Sequence, residues 1–279
     1  MDKLTSGINS FNSSVLSNPN SWIQRYEYLA DPRTKDWLLV PSLTPVLMWI
    51  AAYLVMSLYL SKIFKRFKPL KLQGLLIVYN FSLALLNLHI FKELLLSATK
   101  LKYNYLCQPY KVIYSEYEMR IASAVWWFYF SKLLEFSDTA FFILRHKWRQ
   151  LTPLHIYHHS TMLPLWWIAA KYVPTGSAFF PPLVNSFIHV IMYTYYALSA
   201  CGPAIQKYLW WKKYLTALQL IQFTIGLFWS INSLLSKCEY PSWLQYLSIA
   251  YMISFLILFG RFYQKEYTRS NHKKNLKSK

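Results

Sequence analysis

Charge is scarce in this 279-residue chain. Only 15% of its residues are charged and 55% are hydrophobic, where a soluble domain carries roughly 25% charged residues. That deficit argues against a water-soluble enzyme and points toward lipid. Three cysteines are too few for a disulfide framework, though they permit one bridge. Residues 1–36 lack a basic stretch followed by an apolar core, so no signal peptide is expected and the first span must direct insertion. Internal repeats, linkers and low-complexity stretches are absent too, apart from a basic tail from about Ser270. One membrane domain follows: an N-terminal segment 1–40, a membrane region 41–264 and a cytoplasmic tail 265–279. Acidic residues are outnumbered 11 to 30, giving a net charge of +19. The basic residues fall between apolar runs rather than on one patch, so membrane, and not nucleic acid, is the expected partner.

Aromatic residues are plentiful: 23 Tyr, 18 Phe and 12 Trp. Such rings suit the headgroup level of a bilayer or the lining of an apolar cavity. Seven apolar segments approach the roughly 20 residues a helical span needs. They run over Pro41–Leu60, Leu72–Ser97, Ile121–Leu144, Leu154–Ala170, Ala178–Leu198, Tyr214–Leu235 and Trp243–Gly260. Loops 61–73, 145–153, 204–213 and 261–279 hold 18 basic residues against one acidic, Glu266; the alternate segments hold 10 against 7. The basic set belongs on the cytoplasmic side. The N-terminus is then lumenal and the C-terminus cytoplasmic, as an odd span count requires. Asn12-Ser13-Ser14 is a glycosylation sequon in the lumenal tail. Cys107 and Cys238 share the lumenal side, where a disulfide can form, and Cys201 stays free.

Charges inside spans are costly and face a bundle interior, a partner or a wet cavity. Here they are Lys92, Glu93, Lys132, Glu135 and Asp138. The strongest constellation is His155-Ile-Tyr-His158-His159, whose imidazoles share one helix face at i, i+3 and i+4. Asn185 and His189 repeat that geometry on the fifth span, followed by Tyr193 and Tyr196. Lys132, Glu135 and Thr139 stripe the third span beside Asp138; Thr216, Gln219 and Gln222 stripe the sixth; Asn80 and Asn87 lie on the second. Single Asn, Gln or Thr residues also serve as interhelical glue, Tyr193 and Tyr196 as core aromatics, and Lys132–Glu135 as a structural ion pair. Three titratable rings on one span are harder to ascribe to packing. Polar stripes on five helices should face one shared interior.

Clustered histidines serve metal ligation or proton and acyl transfer. The HxxHH spacing suggests a di-iron oxygenase, but such sites draw on about eight ligands, and this chain has seven histidines, of which His89, His146 and His272 stand apart. Four clustered imidazoles and a carboxylate leave a single zinc open. A seven-span receptor shares the topology but lacks matching DRY and NPxxY signatures.

Four ordered motifs carry a resemblance: Lys132-Leu-Leu-Glu-Phe-Ser-Asp-Thr139, Leu154-His-Ile-Tyr-His-His159, Asn185-Ser-Phe-Ile-His189 continuing to Tyr196, and Thr216-Ala-Leu-Gln-Leu-Ile-Gln222-Phe223. From about Tyr28 to Tyr267 the chain resembles the ELO family of very-long-chain fatty acid elongases. It departs from many relatives at Pro153, where Phe is usual, and in its tail, which lacks a clean dilysine signal. The resemblance implies condensation of acyl-CoA with malonyl-CoA in the endoplasmic reticulum membrane. CO₂ and CoA are released and a 3-ketoacyl-CoA goes on to a reductase and a dehydratase, with no cofactor and no metal. It also implies an all-α protein in which six helices form a barrel around an acyl tunnel and the first span packs outside, with a homodimer as one assembly open to it. On that reading His158 takes the acyl group as an acyl-imidazole and His189 faces it. His155 and His159 orient or relay protons, and Asp138, Glu135 and Asn185 set tautomers or hold oxyanion donors. Lys132, Thr139, Tyr193, Tyr196, Gln219 and Gln222 line the substrate site, and the basic loops, with Arg145, Lys147, Arg149, Lys207, Lys212 and Lys213, attract CoA phosphates.

Overall fold

The computed structural model describes residues 28–268, whose regular secondary structure is all helix, without a strand among the described residues. Asn12 and the tail beyond residue 268 lie outside the described residues. The helices are α1 (Leu43–Phe64), α2 (Gln73–Lys100), α3 (Glu116–Leu134), α4 (Phe136–Leu144), α5 (Pro153–Tyr172), α6 (Phe180–Ala200), α7 (Lys212–Leu235) and α8 (Ser242–Tyr263). Of these, α1, α2, α7 and the α8 rod are long and apolar enough to cross a membrane. The stretches α3–α4, α5 and α6 carry the clustered histidines and the buried Lys132 and Glu135, and are less apolar by composition. The chain is a multi-pass membrane protein.

Helix starts follow local chemistry. The Ser115 hydroxyl accepts from the Glu118 amide at 3.4 Å and caps α3, with Glu116 and Glu118 favourably placed in the first turn. Thr152 caps α5 by accepting from the His155 amide at 3.2 Å. Pro153 occupies the first turn of α5, where a missing N–H removes no helical bond. The third apolar segment differs from expectation. It begins at Glu116 and is interrupted at Glu135, where a tightened turn (Asp138 amide to Glu135 carbonyl, 3.1 Å) separates α3 from α4.

Helix α2 packs along α6 and α3, α3 along α5, α6 against α7 and α7 against α8. Helices α5 and α8 are joined by hydroxyl pairs, Tyr157–Ser254 at 2.9 Å and Thr161–Tyr251 at 2.6 Å, and by ring contacts of Tyr157 and His158 with Phe255. Helix α1 sits on the flank of α5, burying Val46, Tyr53, Ser57 and Ser61 while most of its apolar residues face outward. One core cluster joins Ile90, Leu94, Ile121, Val125, Phe128 and Phe179. A second joins Val40, Tyr53, Tyr129, Leu163 and Trp167.

The segment before α1 is no loose tail. Trp126 and Trp167 donate indole N–H to the carbonyls of Leu38 and Val40, and Tyr129 donates to that of Leu39. Lys171 donates to the Pro41 carbonyl at 2.6 Å. Asp31 and Arg33, fully buried, form a two-pronged pair with contacts of 2.6 and 3.0 Å. Arg33 also reaches Thr175 and the Ile113 carbonyl, each at 3.0 Å, while Tyr110 donates to Asp31 at 2.8 Å. Burial, with Asp31 beside it, pushes the Tyr110 phenol above its ordinary range, so it stays a neutral donor. Nearby, Cys107 and Cys238 are joined in a disulfide, and the Tyr110 amide donates to the Glu239 carbonyl. Gly176 has a left-handed φ of 63° there, and a Cβ on it would meet the Tyr110 Cα at 2.8 Å. Cys201, at the opposite end, is free and exposed.

Candidate active site

The polar residues of α3, α4, α5 and α6 meet in the interior. His155 and His159 stand one helical turn apart with ring centroids at 4.3 Å, and His158 and His159 lie at 4.9 Å edge to face. Helix α4 faces them with Thr139, whose hydroxyl lies 2.7 Å from His155 Nε2. At the α3–α4 break, Lys132 Nζ donates to Glu135 Oε1 at 2.7 Å; both side chains are 1% exposed. From α6, His189 Nδ1 lies 3.5 Å from the same carboxylate oxygen without a hydrogen bond to it. Tyr193, one turn further along α6, donates to Asp138 Oδ2 at 2.9 Å. The ion pair thus has a histidine held at its edge, and the break puts Glu135 and Asp138 toward the same α6 face.

Several buried polar atoms here lack a hydrogen-bond partner within the protein: Glu135 Oε2, Asn185 Oδ1 and His189 Nδ1. Buried polar atoms are nearly always satisfied, and exceptions concentrate where a ligand or water completes them. Three on adjoining elements form a polar site with unmet demand.

Two cavities reach this cluster. An apolar one is walled by Phe128, Met162, Trp166, Phe223, Tyr251 and Phe255, touches His158, Asn185 and Gln222, and extends to Ser177, Tyr240 and Gln245 beside the disulfide. A polar one opens among the basic loops, lined by Arg145, Lys147, Gln150, Ser199 and Gln206, and runs in past Asn80 and Tyr196 to Asp138. Of the histidines, His158 alone lines the apolar cavity among the described residues.

Not every residue expected at the site is drawn to it. Gln219 lines neither cavity and points its amide at Met192 Sδ, 3.6 Å away. Lys207 and Lys212 are exposed and outside the polar cavity's lining, although Arg145 is in it. Thr216 is buried on α7 but also lies off both linings. Asn87 is fully buried and donates to the Leu83 carbonyl of its own helix, in the manner of structural glue. Lys147, expected with the basic loops, does line the vestibule, while sequence reasoning missed Gln150 and Gln206 beside it, and Tyr53 of α1, which touches Thr139. No periodicity marks the loop residues, and Tyr53 reads as one more apolar position of its span. Among the described residues, no three His, Cys, Asp or Glu side chains are disposed to hold a metal ion.

The profile of the ELO: GNS1/SUR4 family matches residues 38–275. The chain belongs to the ELO family. Human very long chain fatty acid elongase 4 is 46% identical over 251 residues, spanning 89% of this chain and 80% of the human protein. The mouse protein of that name is 45% identical over 262 residues, 93% and 84% of the two lengths. Very long chain fatty acid elongase 5 of Tachysurus fulvidraco is 44% identical over 239 residues, 86% and 81%. An ELO match of that extent covers every helix described above and all of the polar cluster.

Proposed function

We propose that this chain is the condensing enzyme of fatty acid elongation, joining a long-chain acyl-CoA to malonyl-CoA and releasing CO₂ and CoA to give a 3-ketoacyl-CoA two carbons longer. One observation carries the reading: a buried histidine cluster lies between an apolar cavity and a polar vestibule edged by Arg145 and Lys147. An acyl thioester has that same division, an apolar tail and a polyanionic CoA. The names of the relatives point the same way.

The chemistry runs in two halves. His158 attacks the thioester carbonyl, the C–S bond breaks, and CoA leaves as its thiol with the imidazole proton. The acyl-imidazole remains, with its chain in the apolar cavity. Malonyl-CoA then enters the vestibule and loses CO₂; the enolate attacks the acyl carbon, the C–N bond to His158 breaks, and the released imidazole takes back one proton from solvent through the vestibule. His189, through a protonated Nδ1, and Asn185, through its amide N–H, are set to donate to the enolate oxygen, and the Lys132–Glu135 pair fixes His189's surroundings. His155 and His159 orient the cluster, and Asp138 with Tyr193 and Tyr196 forms the inner wall of the vestibule. No step draws on a metal or cofactor.

The chain is read as crossing the endoplasmic reticulum membrane seven times. α3–α4 count as one span, six spans form a barrel around the acyl tunnel, and α1 lies outside it. The cyclic order of helix contacts and the exposure of α1 support that arrangement. The excess of Lys and Arg in the loops around the vestibule supports a cytosolic vestibule, a cytoplasmic C-terminus and a lumenal disulfide. Its product suits a ketoacyl-CoA reductase and a dehydratase; a homodimer is compatible with the exposed apolar flanks.

The test is two-carbon extension of an acyl-CoA series by purified protein with radiolabelled malonyl-CoA, with and without chelator. Extension that survives the chelator is expected; extension abolished by it returns the cluster to metal chemistry. Incubated with acyl-CoA alone, the protein should gain one acyl mass and release one equivalent of CoA, and His158→Ala should do neither. Full condensing activity in that variant refutes the nucleophile.

A further inference from the structure

Helix α1 looks dispensable to the chemistry, because it lies on the flank of the bundle and contributes nothing to either cavity lining. One side chain contradicts that impression. Tyr53 is 2% exposed, stacks on Phe136 of α4 with centroids 4.4 Å apart, and lies 6.1 Å from the His159 ring. Its phenolic oxygen accepts from the Thr139 hydroxyl at 3.3 Å, and that same hydroxyl lies 2.7 Å from His155 Nε2. Three residues after Tyr53, the helix widens into a π-helical turn over Met56–Leu60, a local irregularity found disproportionately at functional sites.

We infer that Tyr53 is a positioning residue of the active site, acting through Thr139 to fix the tautomer and orientation of His155. The reasoning is a matter of counting protons. A threonine hydroxyl has one proton to give. When it goes to the Tyr53 oxygen, Thr139 can only accept from His155, so the imidazole carries its proton on Nε2 and leaves Nδ1 bare. The second ring nitrogen of a histidine is governed by the bond the first one makes. Without the phenolic oxygen, the Thr139 proton is free to turn to Nε2, and the opposite tautomer becomes equally available. A 0%-exposed Thr139 has no water to substitute for the missing acceptor. The helix outside the barrel would then belong to the catalytic apparatus, which explains why one face of it is anchored by a tyrosine rather than by an aliphatic residue.

This inference deepens the condensing-enzyme reading and rests on it for its kinetic consequence, but its physical content can be read without turnover. In protein labelled with ¹⁵N-histidine, the His155 ring nitrogens are assigned by difference from His155→Gln. Wild type should show the Nε2–H tautomer. Tyr53→Phe keeps the ring stack and removes only the oxygen; it should shift those resonances toward a mixture with no change in melting temperature. Thr139→Val should do the same, the double variant no more than Thr139→Val alone, and Thr139→Ser should retain the wild-type spectrum. In the condensation assay, Tyr53→Phe should lower kcat about tenfold with KM for both substrates unchanged, the scale of one lost buried hydrogen bond felt in the transition state. An unchanged His155 spectrum in Tyr53→Phe overturns the proposal, as does a shift that adds to that of Thr139→Val. If the spectrum shifts while wild type fails to extend any acyl-CoA, the positioning role stands and the proposed reaction falls.

Discussion

The two ends of the bundle use polar residues in opposite ways. At the disulfide end, Asp31, Arg33, Tyr110, Thr175, Glu118 and Tyr103 pair with one another, and Glu118 Oε2 alone among their carboxylate oxygens is left with an ion-pair contact and no hydrogen bond. Tyr103 donates to Glu118 at 2.6 Å, and Arg33 reaches the other Glu118 oxygen at 3.7 Å. At the basic end, Arg145, Lys147, Gln150 and Gln206 stand around an opening with no carboxylate paired to them among the described contacts. An end that spends its charges internally is closed and rigid. One that leaves them unmatched is built to receive an anion. The difference matters because the apolar cavity runs to the first end and the polar one opens at the second, so the histidine cluster lies between a stopper and a mouth.

The sharpest way to break this contrast is to strike the closed end. Arg33→Met removes the one cation paired with Asp31 among the described residues and strands a carboxylate with 0% exposed side chain. Loss of one partner from a buried pair costs about 3–5 kcal/mol. The variant should melt far below wild type in detergent, while the fraction that remains folded keeps its KM for malonyl-CoA. Wild-type melting would mean that the pair is ornamental and the end is held by something else. Cys107→Ser opens a link spanning 131 residues and should cost about 2–4 kcal/mol, again seen in melting rather than in KM. A Cys107→Ser protein as stable as wild type would show that the docked segment 28–42 closes the end unaided.

How much of this was legible beforehand differs between helices and loops. Helical periodicity carries the site's core: His155, His158 and His159 share a face because 3.6 residues make a turn, and the structure brings that face to Thr139 as the stripe on the third segment suggests. Hydropathy alone placed the apolar segments, and the structure moves their edges by a few residues. The break at Glu135 was not legible, since its cause is a turn whose side chain folds back on Lys132 within an otherwise continuous apolar run. Nor was the docking of residues 28–42, whose bonds run from indoles and a phenol far along the chain to backbone carbonyls that have no sequence signature. In the sequence Lys207 and Lys212 are indistinguishable from Arg145, because all three share a charge and a side of the bundle. Charge fixes the side; only the fold fixes which cation lines the opening.

That distinction gives the two smaller predictions, both at the open end. Arg145→Ala removes a half-buried guanidinium from the vestibule wall. It should raise KM for malonyl-CoA about five- to tenfold, the loss of one charge-assisted hydrogen bond to phosphate, with melting temperature unchanged. Lys207→Ala should do much less. Its ammonium is exposed, rests 4.9 Å from the Tyr208 ring centroid and faces no cavity, so at physiological salt most of its field is screened before it reaches a bound CoA. A change in KM below about twofold is expected, disappearing as ionic strength rises. Should Lys207→Ala match Arg145→Ala at high salt, the CoA must lie across the helical turn Pro203–Gln206 and not in the opening beside it, and the mouth of the enzyme would have to be redrawn on that side.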